Sequence, residues 1–109
     1  MPITFDGKLG STVGRYAIVV SRYHNSITQR LLDGALNSLQ AAGVADDNIR
    51  VVWVPGAWEL SVVAARFARC QKVDAMICLG AVIRGETTHD QYINSQVASS
   101  LGKLSLQYE

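Results

Sequence analysis

Apolar and polar residues follow one scheme three times along this chain. A short apolar run is followed by a turn, then by a longer stretch with apolar residues every three or four positions. Tyr16-Ala17-Ile18-Val19-Val20 is a continuous apolar run, as a strand buried on both faces requires. Ser26-Ile27-Thr28-Gln29 then reads as a capping box. Behind it Ile27, Leu31, Ala35 and Leu39 predict a helix of about four turns, stopped by Gly43. A polar connector, Ala45-Asp46-Asp47-Asn48, leads to a second strand, Ile49-Arg50-Val51-Val52-Trp53-Val54, which Pro55-Gly56 breaks. Leu60, Val63, Ala64 and Phe67 form the stripe of a second helix ending near Cys70. Asp74 leads into a third strand over residues 75–79. Beyond His89, the residues Ile93, Val97, Leu101 and Leu104 make a third helical stripe, with Gly102 as its weak point.

Strand and helix in strict alternation predict an α/β fold: a parallel sheet with flanking helices and right-handed crossovers. The first fourteen residues, with Gly7, Gly10 and Gly14, read as an irregular arm, leaving residues 15–109 as a single domain. In a parallel sheet every strand-to-helix loop lies at the carboxyl edge, where open α/β sheets bind ligands. The loops at residues 21–25, 55–59 and 80–89 therefore converge. Between them they hold both histidines, Trp58, Tyr23, Glu59, Arg84 and Thr87. The connectors at the opposite edge carry no evident chemistry.

The third loop, Gly80-Ala81-Val82-Ile83-Arg84-Gly85-Glu86-Thr87-Thr88-His89, is the richest. Glycines let a backbone approach a ligand, N–H groups at a helix start attract anions, and histidine moves protons near neutral pH. Its glycine spacing nearly spells the P-loop pattern G-x-x-x-x-G-K-[ST]. Glu86 occupies the lysine position, however, and its charge would repel a polyphosphate. Ala81-Val82-Ile83 is also too apolar and β-branched for amides that must wrap inward, so a nucleotide-hydrolysing P-loop is excluded.

Composition narrows the class further. A 109-residue chain is one small domain, long enough to bury roughly two-thirds of its unfolded surface. The hydrophobic fraction of 49% with 17% charged residues excludes disorder. A mean hydropathy of +0.14 hints at apolar surface that a partner covers. The net charge is +1 and the arginines are scattered, so nothing resembles a footprint for nucleic acid or an anionic membrane. No signal peptide and no apolar stretch approaching ~20 residues is present in the sequence. Cys70 and Cys78 read as buried free thiols, which places the chain in a reducing, cytoplasmic compartment.

Three segments carry a family resemblance: Arg22-Tyr23-His24-Asn25-Ser26-Ile27-Thr28, then Val54-Pro55-Gly56-Ala57-Trp58-Glu59-Leu60, then Leu79 through the third loop to His89. From about residue 16 to residue 109 the chain resembles the lumazine synthase family of riboflavin biosynthesis. The resemblance implies a flavodoxin-like, three-layer α/β fold and assembly as a pentamer or a shell of pentamers, with active sites between subunits. It implies joining 5-amino-6-(D-ribitylamino)uracil to a four-carbon dihydroxybutanone phosphate, with loss of phosphate and water. No metal and no organic cofactor are implied, and the partners are small-molecule substrates and further copies of the chain.

Residue by residue, His89 matches the family's catalytic histidine, suited to shuttling protons during imine formation and phosphate elimination. Gly85, Glu86 and Thr87 match the turn that binds the phosphate substrate through backbone N–H groups and the Thr87 hydroxyl. Tyr23 stands where the family stacks an aromatic ring on the pyrimidine. Ala57, Trp58 and Glu59 match the segment that holds the ribityl chain, with Glu59 as acceptor for its hydroxyls. Ala81, Val82 and Ile83 match the backbone that holds the pyrimidine edge. His24 replaces a usual asparagine and Ser61 a common proline. The family continues with a fourth strand and two helices carrying a second aromatic contact and a phosphate-clamping arginine, so the resemblance implies a chain truncated at its carboxyl end. A non-catalytic binding or assembly module stays open as the alternative.

Overall fold

In the computed structural model, residues 2–4, 14–70, 72–85 and 88–108 are described. Of the predicted arm, residues 2–4 and 14 are among them and the rest lies outside. Strand β1 (Tyr16–Ser21) leads to helix α1 (Asn25–Ala41), strand β2 (Ile49–Val54), helix α2 (Leu60–Cys70), strand β3 (Ala75–Leu79) and helix α3 (His89–Tyr108). Single 3-10 turns, Asp46–Asn48 and Ala57–Glu59, precede β2 and α2. All strands are parallel and ordered β2-β1-β3, with Tyr16 level with both Ile49 and Ala75. The flavodoxin-like layering implied by the resemblance is the one found.

The strand order decides where the helices go. From β1 the chain winds outward to β2, then crosses back over β1 to β3. Reversing the direction of winding puts α1 and α2 on opposite faces of the sheet. Alternation along β1 serves both layers. Ile18 and Val20 pack with Leu32, Leu36 and Leu39 of α1, backed by Trp53, Ile77 and Leu79. Val19 packs with Val54, Leu60, Val63, Phe67 and Cys78 under α2. Because β1 is covered on both faces, the residues from Ala17 to Ser21 are all 0% exposed, as the unbroken apolar run requires. Helix α3 lies against α2 and the Ala57–Glu59 turn, and Gly102 does not interrupt it.

Three local expectations are corrected. The capping box does not form: α1 starts at Asn25, its cap is His24 with φ 56° and ψ 53°, and no side chain caps it. A left-handed residue swings the chain into the helix one residue before Ser26 can act as a cap. The first half of the buried stripe of α1 is offset by one residue, while Ala35 and Leu39 pack against the core as predicted. Thr28 and Leu32 are buried, while Ile27 and Leu31 stay 43% and 41% exposed. Finally, Cys70 is exposed and Cys78 only part-buried, both as free thiols. Cys70 closes α2 beyond the sheet, whereas Cys78 faces α2 from within β3, and burial pushes its thiol pKa up.

The stop of α1 is as predicted. Gly43 has φ 95°, its N–H donates to the Gln40 carbonyl, and Val44 N–H donates to that of Leu39, both at 3.0 Å. This is the paired Schellman termination that glycine permits. Among the described residues no helix is long and apolar enough to cross a membrane.

Candidate active site at the carboxyl edge

With the order β2-β1-β3, the winding switches direction between β1 and β3, and there the strand-to-helix loops part to leave a crevice. The first loop is tied down by its main chain. Arg22 N–H donates to the Val54 carbonyl at 2.7 Å, extending the β1–β2 ladder by one rung. The Arg22 guanidinium lies 5.4 Å from the Trp53 ring centre. Tyr23 N–H donates to the Ser21 hydroxyl at 3.2 Å, which turns the chain and leaves Tyr23 57% exposed. The His24 ring meets Tyr23 edge-to-face, with centres 4.2 Å apart. Histidine and asparagine are both enriched among non-glycine residues in the left-handed region. His24 therefore suits the backbone where the family usually carries asparagine.

The second loop turns over Ala57–Glu59, closed by Glu59 N–H donating to the Gly56 carbonyl at 3.2 Å. The glutamate side chain folds over Gly56: a Cβ at that glycine would sit 3.7 Å from Oε2 and 3.9 Å from Oε1. Oε2 is buried and has no hydrogen-bond partner among the described residues. A buried carboxylate oxygen without a donor is costly, and this atom keeps its acceptor capacity unused. Trp58 is 53% exposed. Its carbonyl accepts from Gln96 Nε2 at 3.1 Å, and Ser61 Oγ donates to Gln96 Oε1 at 3.3 Å. One amide on α3 thus fixes the second loop to the helix that starts with His89. Serine where the family commonly has proline adds a donor to that clamp.

The third loop begins at Gly80, where the strand ends meet. A Cβ there would lie 3.4 Å from Leu60 Cδ1, 3.6 Å from Ala57 Cβ and 3.7 Å from Ser21 Cβ. After it Ala81 and Val82 are half-buried and Ile83 is exposed. His89 opens α3, with Gln91 N–H donating to the Thr88 carbonyl at 3.1 Å.

A cavity of about 270 Å³ lies between these loops. Tyr23 lines it from the first loop, Gly56, Ala57, Trp58 and Glu59 from the second, Ala81, Val82 and Ile83 from the third, and His89 and Ile93 from α3. The anticipated pyrimidine and ribityl residues and the anticipated proton shuttle therefore surround one space. Gly85 is exposed, does not line the cavity, and would have nothing within 4 Å of an added Cβ. Glu86 and Thr87 lie outside the described residues.

Three contributors were not anticipated. Gly56 lies beneath the Glu59 carboxylate. Ile93 follows His89 by one helical turn, and that four-residue spacing would have found it. Gln96 acts on a main-chain carbonyl 38 residues away, which leaves no trace in local sequence. Among the described residues no group of three His, Cys, Asp or Glu side chains is placed to hold a metal ion.

A family model for 6,7-dimethyl-8-ribityllumazine synthase matches residues 14–109, nearly the whole chain. The chain belongs to the lumazine synthase family. Lumazine synthases are transferases of riboflavin biosynthesis, acting on small substrates and working as oligomers. The match takes in β1 through α3, and so every loop that forms the cavity.

Proposed function

We propose that this site condenses 5-amino-6-(D-ribitylamino)uracil with 3,4-dihydroxy-2-butanone 4-phosphate to give 6,7-dimethyl-8-ribityllumazine, the penultimate step of riboflavin biosynthesis. The observation that carries this reading is the single cavity bounded by a stacking ring, an unpartnered buried oxygen of Glu59 and a histidine. Tyr23 offers its ring to the flat pyrimidine, and the main chain at Ala81, Val82 and Ile83 offers donors and acceptors to its edge. Ala57, Trp58 and Glu59 hold the ribityl chain, with Glu59 Oε2 accepting from hydroxyls.

His89 moves the protons. The pyrimidine's 5-amino group adds to the ketone, and loss of water gives the imine. Removal of a proton next to the imine carbon then drives out the phosphate, breaking its C–O bond. The second nitrogen closes the ring with loss of another water. A base that becomes an acid in the following step suits both stages. Gly85, Glu86 and Thr87 take the phosphate through backbone N–H groups and the Thr87 hydroxyl, with the Glu86 side chain turned away.

On this reading residues 15–109 act as one catalytic α/β domain behind an arm at 1–14. They work in the cytoplasm as a pentamer or pentamer-based shell, whose neighbouring subunits cover the exposed rims of Tyr23, Trp58 and Ile83. Incubation with both substrates tests the reaction: lumazine fluorescence appears at a rate proportional to enzyme. Fluorescence no faster than in enzyme-free controls, alongside tight calorimetric binding of the ribityl pyrimidine, would assign the chain to a binding role instead.

A further inference from the structure

At the amino edge of the sheet, on the side away from the active site, a second cavity of about 280 Å³ opens. Its wall carries Arg15 from the start of β1, Arg50 from the start of β2, Arg66 from α2 and Lys72 from the connector into β3. Phe67 and Val73 supply apolar lining. Strand alternation explains how the charges gather. Ile49 and Trp53 pack toward α1 and Val54 toward α2, so Arg50, in phase with Val54, emerges under the last turns of α2. Arg66 and Phe67 stand on those turns.

The charges in this cavity are poorly balanced. Among the described residues that line it, Asp47 is the one carboxylate, against four cations. Arg50 Nη1 donates to the main-chain carbonyl of Asp47 at 2.9 Å, which satisfies a donor but leaves the positive charge. The Arg15 guanidinium meets Asp74 at 3.9 Å, with both side chains more than half exposed, and the same carboxylate oxygen accepts from the Arg15 main-chain N–H at 2.8 Å. Among the described residues no ion pair engages Arg66 or Lys72. The dipole of α2 favours cations in its final turn, but it gives no reason for Arg15 and Arg50 to converge from two strand starts. Cations collected around a pit with apolar lining focus a positive potential into it. They surround a pocket rather than line a track, which suits a small anion and not a nucleic-acid backbone.

We infer that this amino-edge cavity is a second ligand site, taking a phosphate group of two or more charges, as a diphosphate or a phosphate monoester. Arginine forks bind phosphate oxygens in pairs, and Phe67 and Val73 accommodate an ester's organic part. The site is independent of the proposed reaction, since none of its residues lines the carboxyl-edge cavity.

Titration calorimetry of the whole protein with pyrophosphate, inorganic phosphate and phenyl phosphate tests the inference. Pyrophosphate binds, and more weakly as salt is raised. The double variant Arg66→Gln, Lys72→Gln weakens it by about tenfold or more, as expected for two lost charge-assisted contacts. Lys72→Gln alone, on an exposed connector, weakens it less and guards against a folding defect. Phenyl phosphate binding above inorganic phosphate assigns the site to an ester, and equal binding assigns it to the free anion. Cys70 is exposed and lines the same cavity, so it reports locally. Pyrophosphate slows its alkylation by iodoacetamide in the native protein and fails to do so in the double variant. Lumazine formation stays unchanged in both variants. Pyrophosphate affinity unaffected by the double substitution, or Cys70 alkylated equally fast with and without pyrophosphate, would overturn the site.

Discussion

Along β1 the side chains of Ala17, Ile18, Val19 and Val20 lie entirely out of water, and only two residues past the strand's end Tyr23 is 57% exposed. The two regions are separated by a single turn, yet they are built on opposite terms. In the strand, apolar side chains meet apolar partners on both faces, and each main-chain group has a ladder partner. At the cavity rim Tyr23, Trp58 and Ile83 hold large apolar surface in solvent, and Glu59 keeps a buried oxygen unpartnered. The strand spends its residues on stability. The rim leaves apolar surface uncovered and an acceptor unpaired, so substitutions in the two regions should separate cleanly in what they damage.

The largest effect belongs to the strand. Ile18→Ala removes three carbons from a side chain that is 0% exposed between α1 and the sheet. Cavity-forming substitutions of this kind cost about 2–5 kcal/mol, a large share of a small domain's stability. The urea midpoint falls sharply, while turnover per folded molecule is retained. Loss of turnover from protein still folded would show that the core and the rim are coupled more tightly than the contacts imply.

His89→Ala is the converse. His89 is itself exposed at the start of α3, so folding stability is expected to change little. General acid–base groups contribute ~10²–10⁴-fold, and the low end is expected here because an amine and an activated ketone condense slowly unaided. Single-turnover kinetics should find the chemical step slowed on the order of a hundredfold, with pyrimidine binding nearly intact. An unchanged chemical step would remove His89 from the mechanism.

A smaller and more selective effect follows at Glu59. Glu59→Gln keeps the shape and removes the charge of the unpartnered carboxylate. Hydrogen bonds to charged groups contribute roughly 1.5–3 kcal/mol, and the retained amide oxygen puts the loss at the lower end, about tenfold. KM for the ribityl pyrimidine rises, and KM for the phosphate substrate does not. Equal rises for both substrates would indicate a distorted loop rather than a lost acceptor.

Much of this contrast can be read from residue order. The run from Tyr16 to Val20 admits only a strand covered on both sides, and three such β-α units dictate that Tyr23, Glu59 and His89 share one edge. The three family segments then name Tyr23, Ala57, Trp58, Glu59, Ala81, Val82, Ile83 and His89, which the cavity gathers, but not Ile93, and the Gly85 they also name lies outside it. Other features rest on tertiary detail. The left-handed His24 starts α1 early, and on the first turns Thr28 and Leu32 are buried in place of Ile27 and Leu31. Apolar spacing cannot register that one-residue offset, because leucines stand at both 31 and 32. Gln96 is equally silent, since its partner is a carbonyl that any residue at position 58 would supply. The amino-edge arginines look scattered because strand starts and a helix end bring together positions as far apart as 15 and 66.

Thr28 offers the finest test of the comparison, because it breaks the rule of its own region. It is 0% exposed on the first turns of α1, yet its Oγ1 has no hydrogen-bond partner among the described residues. A stranded hydroxyl costs stability in the interior, whereas the stranded oxygen belongs to Glu59, which lines the carboxyl-edge cavity. Thr28→Val replaces the hydroxyl by a methyl of similar size and keeps the β-branch, so helix preference barely moves. The variant should be more stable by about 1 kcal/mol, read as a rise in the denaturant midpoint at constant slope. Turnover should not change, since Thr28 does not line the carboxyl-edge cavity. Its main-chain N–H, which donates to the His24 carbonyl at 3.1 Å beneath Tyr23, is untouched by the substitution. A more stable protein that turns over more slowly would move Thr28 to the other side of the comparison. Its hydroxyl would then hold the Tyr23 loop in place for substrate, and interior and rim would share a residue one helical turn below the site.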